Sequence, residues 1–384
     1  MNEIRVRFNY ENFSFAKDLR GFTAVKIAEK IGTSTAEVSY WLNGKKAPRP
    51  EKIFTLSRIL QVPVRFLTAA DSLGANISNG TPLFRSSSVT TKKQQVSFEK
   101  LAVFYNEWIK QLGKFVQIPK FKFEDEIRKD SFFQILGNSF IKEKANFVRN
   151  AFNLADNPIA NVTALLERSG VFVVFVNEEH TGINALTIRF DGRIIILINI
   201  ASQSAARIRF SLAHELGHVF LHLGYDRRIY NTKEKHKVME AEANEFASEL
   251  LLPEEGLLLD LMGTGLKSLV TLKPHWGVSV QTLIMRLNAL GIIDDNQKIN
   301  LFRELSRKYS RKDEPFDHGN GAISIEYPSW CNAVLAFLRK EGLLAQVEWN
   351  GINLMFVQEL FPLLDIIKDS DDSSSGSPFL RLLK

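Results

Sequence analysis

The run Ala213-His214-Glu215-Leu216-Gly217-His218 lies inside an apolar stretch, and few folds can accommodate that combination. Phe210, Leu212, Leu216, Val219, Phe220 and Leu223 surround it and predict a buried helix. Residues four apart on a helix lie one above the other, so both imidazoles can reach a single metal ion. Glu215 sits beside them, placed to take a proton from bound water. With only 7 His in 384 residues, His-Glu-x-x-His is a specific signal for a Zn2+ site.

A third ligand must come from elsewhere. His222 continues the stripe, but a helix rise puts it about 12 Å from His214 along the axis, so it reads as a polar residue flanking the site. The three-His pattern H-E-x-x-H-x-x-G-x-x-H fails, because position 221 is Leu and position 224 is Gly. Asp226, His236, Glu240 and Glu242 are the candidates. His236 lies in a charge-rich run that reads as a solvated loop. Residues Val238 to Leu252 predict a helix stopped by Pro253. On it Glu242, Glu245 and Glu249 form an acidic stripe expected to face solvent. Glu240 instead shares a face with Asn244, Ala247 and Leu251, where a carboxylate needs a partner such as a cation. Glu240 is therefore the expected third ligand, with Asn244 orienting a ligating His.

His214-Glu215-Leu216-Gly217-His218, then Glu240-Ala241-Glu242-Ala243-Asn244-Glu245-Phe246-Ala247, then Leu250-Leu251-Leu252-Pro253 resembles the ImmA/IrrE metallopeptidases. Arg207 to Ala213 resembles that family too. The resemblance implies a gluzincin-type zinc endopeptidase in which the Glu opening E-x-x-A-[ND], here Glu240, is the third ligand. It extends from about Phe8 to at least Asp313. Trp276 to Gly291 is similar to a further segment of the family, with Ser279 capping a helix whose Leu283, Leu287 and Leu290 pack inward.

Gly170 to Val176 has strand character. Ile183–Phe190 and Arg193–Ile200 are separated by Asp191-Gly192, a two-residue hairpin signal. A sheet beside such a helix could bind an extended substrate as an added strand.

Charge points to a second function. Residues 1–70 hold 12 Lys and Arg against 6 Asp and Glu, the whole of the chain's formal +6. Phe22–Gly32 predicts a short helix ended by Gly. Ser34-Thr35-Ala36-Glu37 is a capping box opening a second helix, to about Asn43. The pair makes a helix-turn-helix. It resembles the Cro/repressor-like (XRE) domains, with Gly44-Lys45-Lys46-Ala47-Pro48 matching their exit; Ala24 departs from the Gln often found there. Val38 and Leu42, with Trp41, are expected inside. Thr35, Ala36, Ser39, Tyr40 and Asn43 are expected to meet the major groove, and Lys45, Lys46 and Arg49 the phosphates.

The expected organisation is α+β: an all-α helix-turn-helix domain (1–71), a linker (72–97), the zinc peptidase domain with a small hairpin-containing sheet packed on helices (98–310), a small α+β C-terminal domain (320–368) and a flexible tail (369–384). Within the C-terminal part, Ser329–Lys340 reads as a helix, and Leu344–Trp349 with Ile352–Val357 as a hairpin across Asn350-Gly351. A single Cys, Cys331, excludes an intrachain disulfide and fits a reducing, cytoplasmic setting. No apolar run approaches a membrane span. The expected partners are double-stranded DNA, through residues 1–70, and a protein substrate, a DNA-binding repressor or another regulatory protein; a homodimer is compatible with the sequence. The competing readings are a transcription regulator that senses metal or ligand without cutting, and an antitoxin-like repressor.

Overall fold

The computed structural model describes residues 7–73, 83–86, 91–130, 132–179, 182–225, 232–310 and 313–364. The fold is α+β, and the chain divides into two compact units. One comprises residues 1–119, 180–191 and 329–384; the other comprises 120–179 and 192–328. The expected tail 369–384, and residues 74–82 and 87–90 of the expected linker, lie outside the described residues. Among the described residues no helix is long and apolar enough to cross a membrane.

The first unit begins with α1 (Tyr10–Leu19), α2 (Ala24–Ile31), α3 (Thr35–Leu42), α4 (Pro50–Leu60) and α5 (Val64–Leu67). Each short helix is fixed at its ends by local chemistry. Asn9, Thr23 and Ser34 side chains accept from backbone N–H groups in the first turns of α1, α2 and α3. Gly32 stops α2 in the left-handed region, φ 69°. Phe13, Ile27, Val38, Trp41, Leu56 and Phe66 fill the core. Leu42, expected inside, is only half-buried.

Helix α6 (Lys92–Leu112) starts inside the expected linker, behind a Thr91–Gln94 capping box. Ser97 Oγ donates to Leu19 O, 2.6 Å, joining α6 to α1. Strand β1 (Leu83–Ser86), also inside that linker, runs antiparallel to β3 (Ile183–Phe190), from Leu83 opposite Thr187 to Ser86 opposite Ile183. Ser- and Thr-rich flanks hid this four-residue strand, Leu83-Phe84-Arg85-Ser86, which is too short to show a period.

The expected C-terminal domain, 320–368, falls across both units. Residues 329–364 belong to the first unit, through α15 (Trp330–Lys340) and α16 (Leu354–Leu360). Trp349 stacks on Trp108 of α6 with ring centroids 5.5 Å apart. Phe356 meets Phe104 at 5.5 Å and Phe66 at 6.5 Å. Arg20 NH2 donates to Glu359 Oε1, 2.5 Å. A segment of this size has too little apolar surface for a core of its own, so it borrows one. The hairpin expected there is also corrected. Asn350 and Gly351 do take positive φ, 48° and 73°, but only Trp349 and Ile352 bridge across them. Leu344–Val347 is a 3₁₀ turn, and Asn353 caps α16 by accepting from Phe356 N, 2.9 Å.

In the second unit β2 (Val171–Val176) and β4 (Arg193–Asn199) pair in parallel, from Val171 opposite Ile194 to Val176 opposite Asn199. β2 is buried throughout, as is β4 beyond Arg193, and continuous apolar runs suit that. β3 ends where Asp191 and Gly192 take φ 46° and 82°, the signs a two-residue type I′ turn requires. The helices are α7 (Asn138–Ala151), α8 (Val162–Ser169), α9 (Ala205–Leu221), α10 (Lys233–Leu251), α11 (Glu254–Asp260), α12 (Leu266–Trp276), α13 (Val280–Ala289) and α14 (Asp295–Lys308). Ser279 caps α13, accepting from Thr282 N at 3.0 Å, and Leu283 and Leu287 are buried; Leu290, expected inside, is half-buried at the helix end.

Trp349→Ala should lower the stability of the first unit by about 3 kcal/mol, the usual cost of emptying a large aromatic site. Urea unfolding of the full chain followed by circular dichroism checks this; an unchanged midpoint would mean that the C-terminal segment adds nothing to that core.

Candidate metal centre

Helix α9 carries His214, Glu215 and His218, all buried. Helix α10 packs directly on it. Gly217 permits the close approach: a Cβ there would stand 3.0 Å from Phe246 Cδ1 and 3.2 Å from Ala243 O. Phe220 stacks on Phe246 at 5.8 Å, and Phe121, Phe123 and Phe147 close around Phe220.

This packing brings Glu240 to both histidines. His218 Nε2 is 3.1 Å from His214 Nε2 and 3.2 Å from Glu240 Oε1; His214 Nε2 is 3.5 Å from Glu240 Oε2. A tetrahedral ion with bonds of about 2.0–2.1 Å separates its ligands by about 3.3–3.4 Å. Three donors, two imidazole nitrogens and a carboxylate, thus stand at separations a single small cation requires. Burial alone would raise the Glu240 pKa, but the His214 and His218 rings beside it outweigh this and hold the carboxyl far below the usual range.

Asn244 Oδ1 lies 2.8 Å from His214 Nδ1. The amide oxygen can only accept, so that nitrogen carries the proton and Nε2 presents its lone pair to the cluster.

Several expectations are overturned. The stripe Glu242, Glu245, Glu249 does not face solvent: Glu242 and Glu249 are buried. Glu249 forms a two-pronged pair with Arg286, both contacts 2.7 Å, and Arg286 Nε donates to Leu252 O, 3.0 Å. Glu242 accepts from Leu136 N at 2.6 Å and lies 2.9 Å from His222 Nε2. His222 is also not a mere flanking residue. Its Nδ1 is 2.8 Å from His218 Nδ1, and burial, with His218 and His214 beside it, pushes its pKa well below the ordinary value. A third histidine at the end of a buried helix was the available signal, since a buried imidazole needs partners. His236, expected in a loop, lies on α10, which starts at Lys233 rather than Val238. It is half-exposed and 3.9 Å from Glu240. The candidate Asp226 lies outside the described residues.

Tyr225, Tyr230, His275 and Arg286 are side chains able to donate to a developing oxyanion, and three of them lie among the described residues. Arg286 is engaged with Glu249, and His275 Nε2 contacts Asp260 on the surface. Tyr225 accepts from Arg128 NH1 at 2.5 Å, and Tyr230 lies outside the described residues.

In the first unit, α3 presents Thr35, Ala36, Tyr40 and Asn43 to solvent, with Ser39 half-buried. Lys45, Lys46 and Arg49 follow, all exposed. Lys46 also lies 3.7 Å from Glu37, whose other oxygen pairs with Lys52 at 3.2 Å.

Residues 166–288 match the IrrE N-terminal-like domain of the Peptidase_M78 family, and residues 16–67 match a helix-turn-helix family. Together the two matches agree with the ImmA/IrrE architecture. The first match covers α9, α10 and all three clustered donors and points to a metallopeptidase; the second covers α2 and α3 and is of a kind that binds DNA. No curated protein matches the chain.

Arg286→Ala should destabilise the second unit by about 3–5 kcal/mol, because it leaves Glu249 buried without its cation. Chemical denaturation of the purified variant measures this. A loss under about 1 kcal/mol would show that the pair does not anchor α10.

Proposed function

We propose that the chain is a DNA-binding zinc endopeptidase that cuts a repressor or other regulatory protein, and that it works in a reducing, cytoplasmic setting. The observation that carries the reading is the cluster of His214, His218 and Glu240 at tetrahedral separations. Two neutral imidazoles and one carboxylate would hold the ion, and zinc in that place supplies Lewis acidity toward water and a peptide carbonyl.

The chain's own residues do the rest. Glu215 takes a proton from the attacking water and passes it to the leaving amine. Its burial on α9 beside His214 keeps bulk water from competing for that proton. Asn244 holds the His214 ring by its Nδ1–H, so its Nε2 stays directed at the cluster.

Thr35, Ala36, Ser39, Tyr40 and Asn43 of the α3 region read base edges, and Lys45, Lys46 and Arg49 hold phosphates. Docking on DNA raises the local concentration of a substrate that is itself DNA-bound. The enzyme's selectivity then comes partly from where it sits.

Metal analysis should find about one zinc per chain, lost in His214→Ala. Incubated with proteins of its own cell, the zinc-loaded chain should generate new N-termini detectable by mass spectrometry. Glu215→Gln should keep the zinc and generate none. If that variant retains full biological activity, a non-proteolytic sensor explains the protein better.

Lys45→Ala with Lys46→Ala should weaken DNA binding and reduce the slope of log K against log salt by about 2. A salt titration by fluorescence anisotropy checks this. An unchanged slope removes these lysines from the phosphate contacts.

A further inference from the structure

We propose that His222 and Glu242 are positioning residues that fix the proton of His218 on Nδ1 and so keep its Nε2 open to the metal. The inference rests on the metal-centre reading above. Every member of the relay is buried. Glu242 Oε1 accepts from Leu136 N, 2.6 Å, and its Oε2 lies 2.9 Å from His222 Nε2. A carboxylate only accepts, so His222 carries its proton on Nε2. His222 Nδ1 is then a lone pair, 2.8 Å from His218 Nδ1, and can only accept the proton that His218 holds there. His218 is left with a bare Nε2, the atom that stands 3.1 Å and 3.2 Å from the other two donors.

The two ligating histidines are therefore set by different means. His214 is held by one amide, Asn244. His218 is held through a second imidazole ending on a buried carboxylate. Direction propagates along this chain: reversing the donor sense at position 242 reverses it at every link.

Glu242→Gln applies that reversal without changing shape. With its amide oxygen kept on Leu136 N, Gln presents an N–H to His222 Nε2. The His222 proton moves to Nδ1, and the His218 proton is driven to Nε2. Zinc affinity, measured by competition with a chromophoric chelator, should fall about 10–100-fold. The double variant His222→Asn, Glu242→Gln should recover it, because the introduced asparagine amide can present an oxygen to His218 Nδ1–H whatever stands at 242. The visible spectrum of the cobalt-loaded protein should change in the single variant and return in the double. Circular dichroism of the metal-free proteins shows that each is folded. Should Glu242→Gln not fold, His222→Asn retaining affinity while His222→Phe loses it makes the same point.

Equal affinity of wild type and Glu242→Gln, or no recovery in the double variant, overturns the relay while leaving the metal centre intact. Equal affinity of His222→Phe and wild type overturns it too. If the wild-type chain binds no zinc, the metal centre itself fails and the relay with it.

Discussion

The approach of α9 to α10 is the constraint on which the candidate site depends. Small residues line the contact: Ala213 and Gly217 on one helix, Ala243 and Ala247 on the other, all buried. Adding a single Cβ at Gly217 would press on Phe246 and the Ala243 carbonyl. With the helices this close, the contact line on α10 runs through Ala243, and Glu240 and Glu242 project on its two sides. One reaches the Nε2 atoms of His214 and His218, and the other reaches His222. A bulkier interface would move α10 away and take both carboxylates out of reach.

That geometry also explains what could be read from the sequence. The spacing of His214, Glu215 and His218 needs only the helical repeat, and Glu240 follows from asking which acidic residue shares an apolar face. Periodicity misleads about Glu242 for a definable reason. A step of about 100° per residue sets it about 160° from Glu240 measured through Ala243, so a single-face assignment can admit only one of them. Both belong to the buried side because the partner helix carries a row of three histidines wide enough to be gripped from two edges. Glu249 is hidden for a different reason. Its cation, Arg286, lies 37 residues away, and no local period can reveal such a partner.

The first unit gives the same lesson at larger scale. The helix boundaries of α2 and α3 are set by caps within a few residues, so they are largely legible: Gly32 and Ser34 sit as expected, while α2 starts at Ala24 behind its Thr23 cap rather than at Phe22. The destination of residues 329–364 is set by Trp108, Phe104 and Phe66, which are distant in sequence. A turn signal at Asn350-Gly351 names a reversal but not what the flanks become. There an Asn cap at position 353 favoured a helix over a second strand.

Buried arginines explain how α10 can hold its donors so closely. Arg149 NH1 donates to Leu250 O at 2.5 Å, and Arg286 Nε to Leu252 O at 3.0 Å, so two cations sit on the carbonyls that end α10. Burial lowers the Arg149 pKa to about 10, which still leaves it charged near neutral pH. Helix C-termini carry partial negative charge and unpaired carbonyls, and each guanidinium answers both. Burying such charges has a large desolvation cost, and apolar replacements are often as stable. What they give instead is orientation. A guanidinium bonded to several fixed carbonyls permits little rotation of the helix about its axis, and Glu240 lies about 15 Å up that axis from Leu250. A rotation of α10 by one-tenth of a turn would shift a carboxylate several ångströms from that axis by about 3 Å, far beyond the roughly 0.5 Å within which a ligand set must be held. The charges at one end of the helix thus restrict the rotation that would part the donors at the other, which stand 3.1–3.5 Å apart.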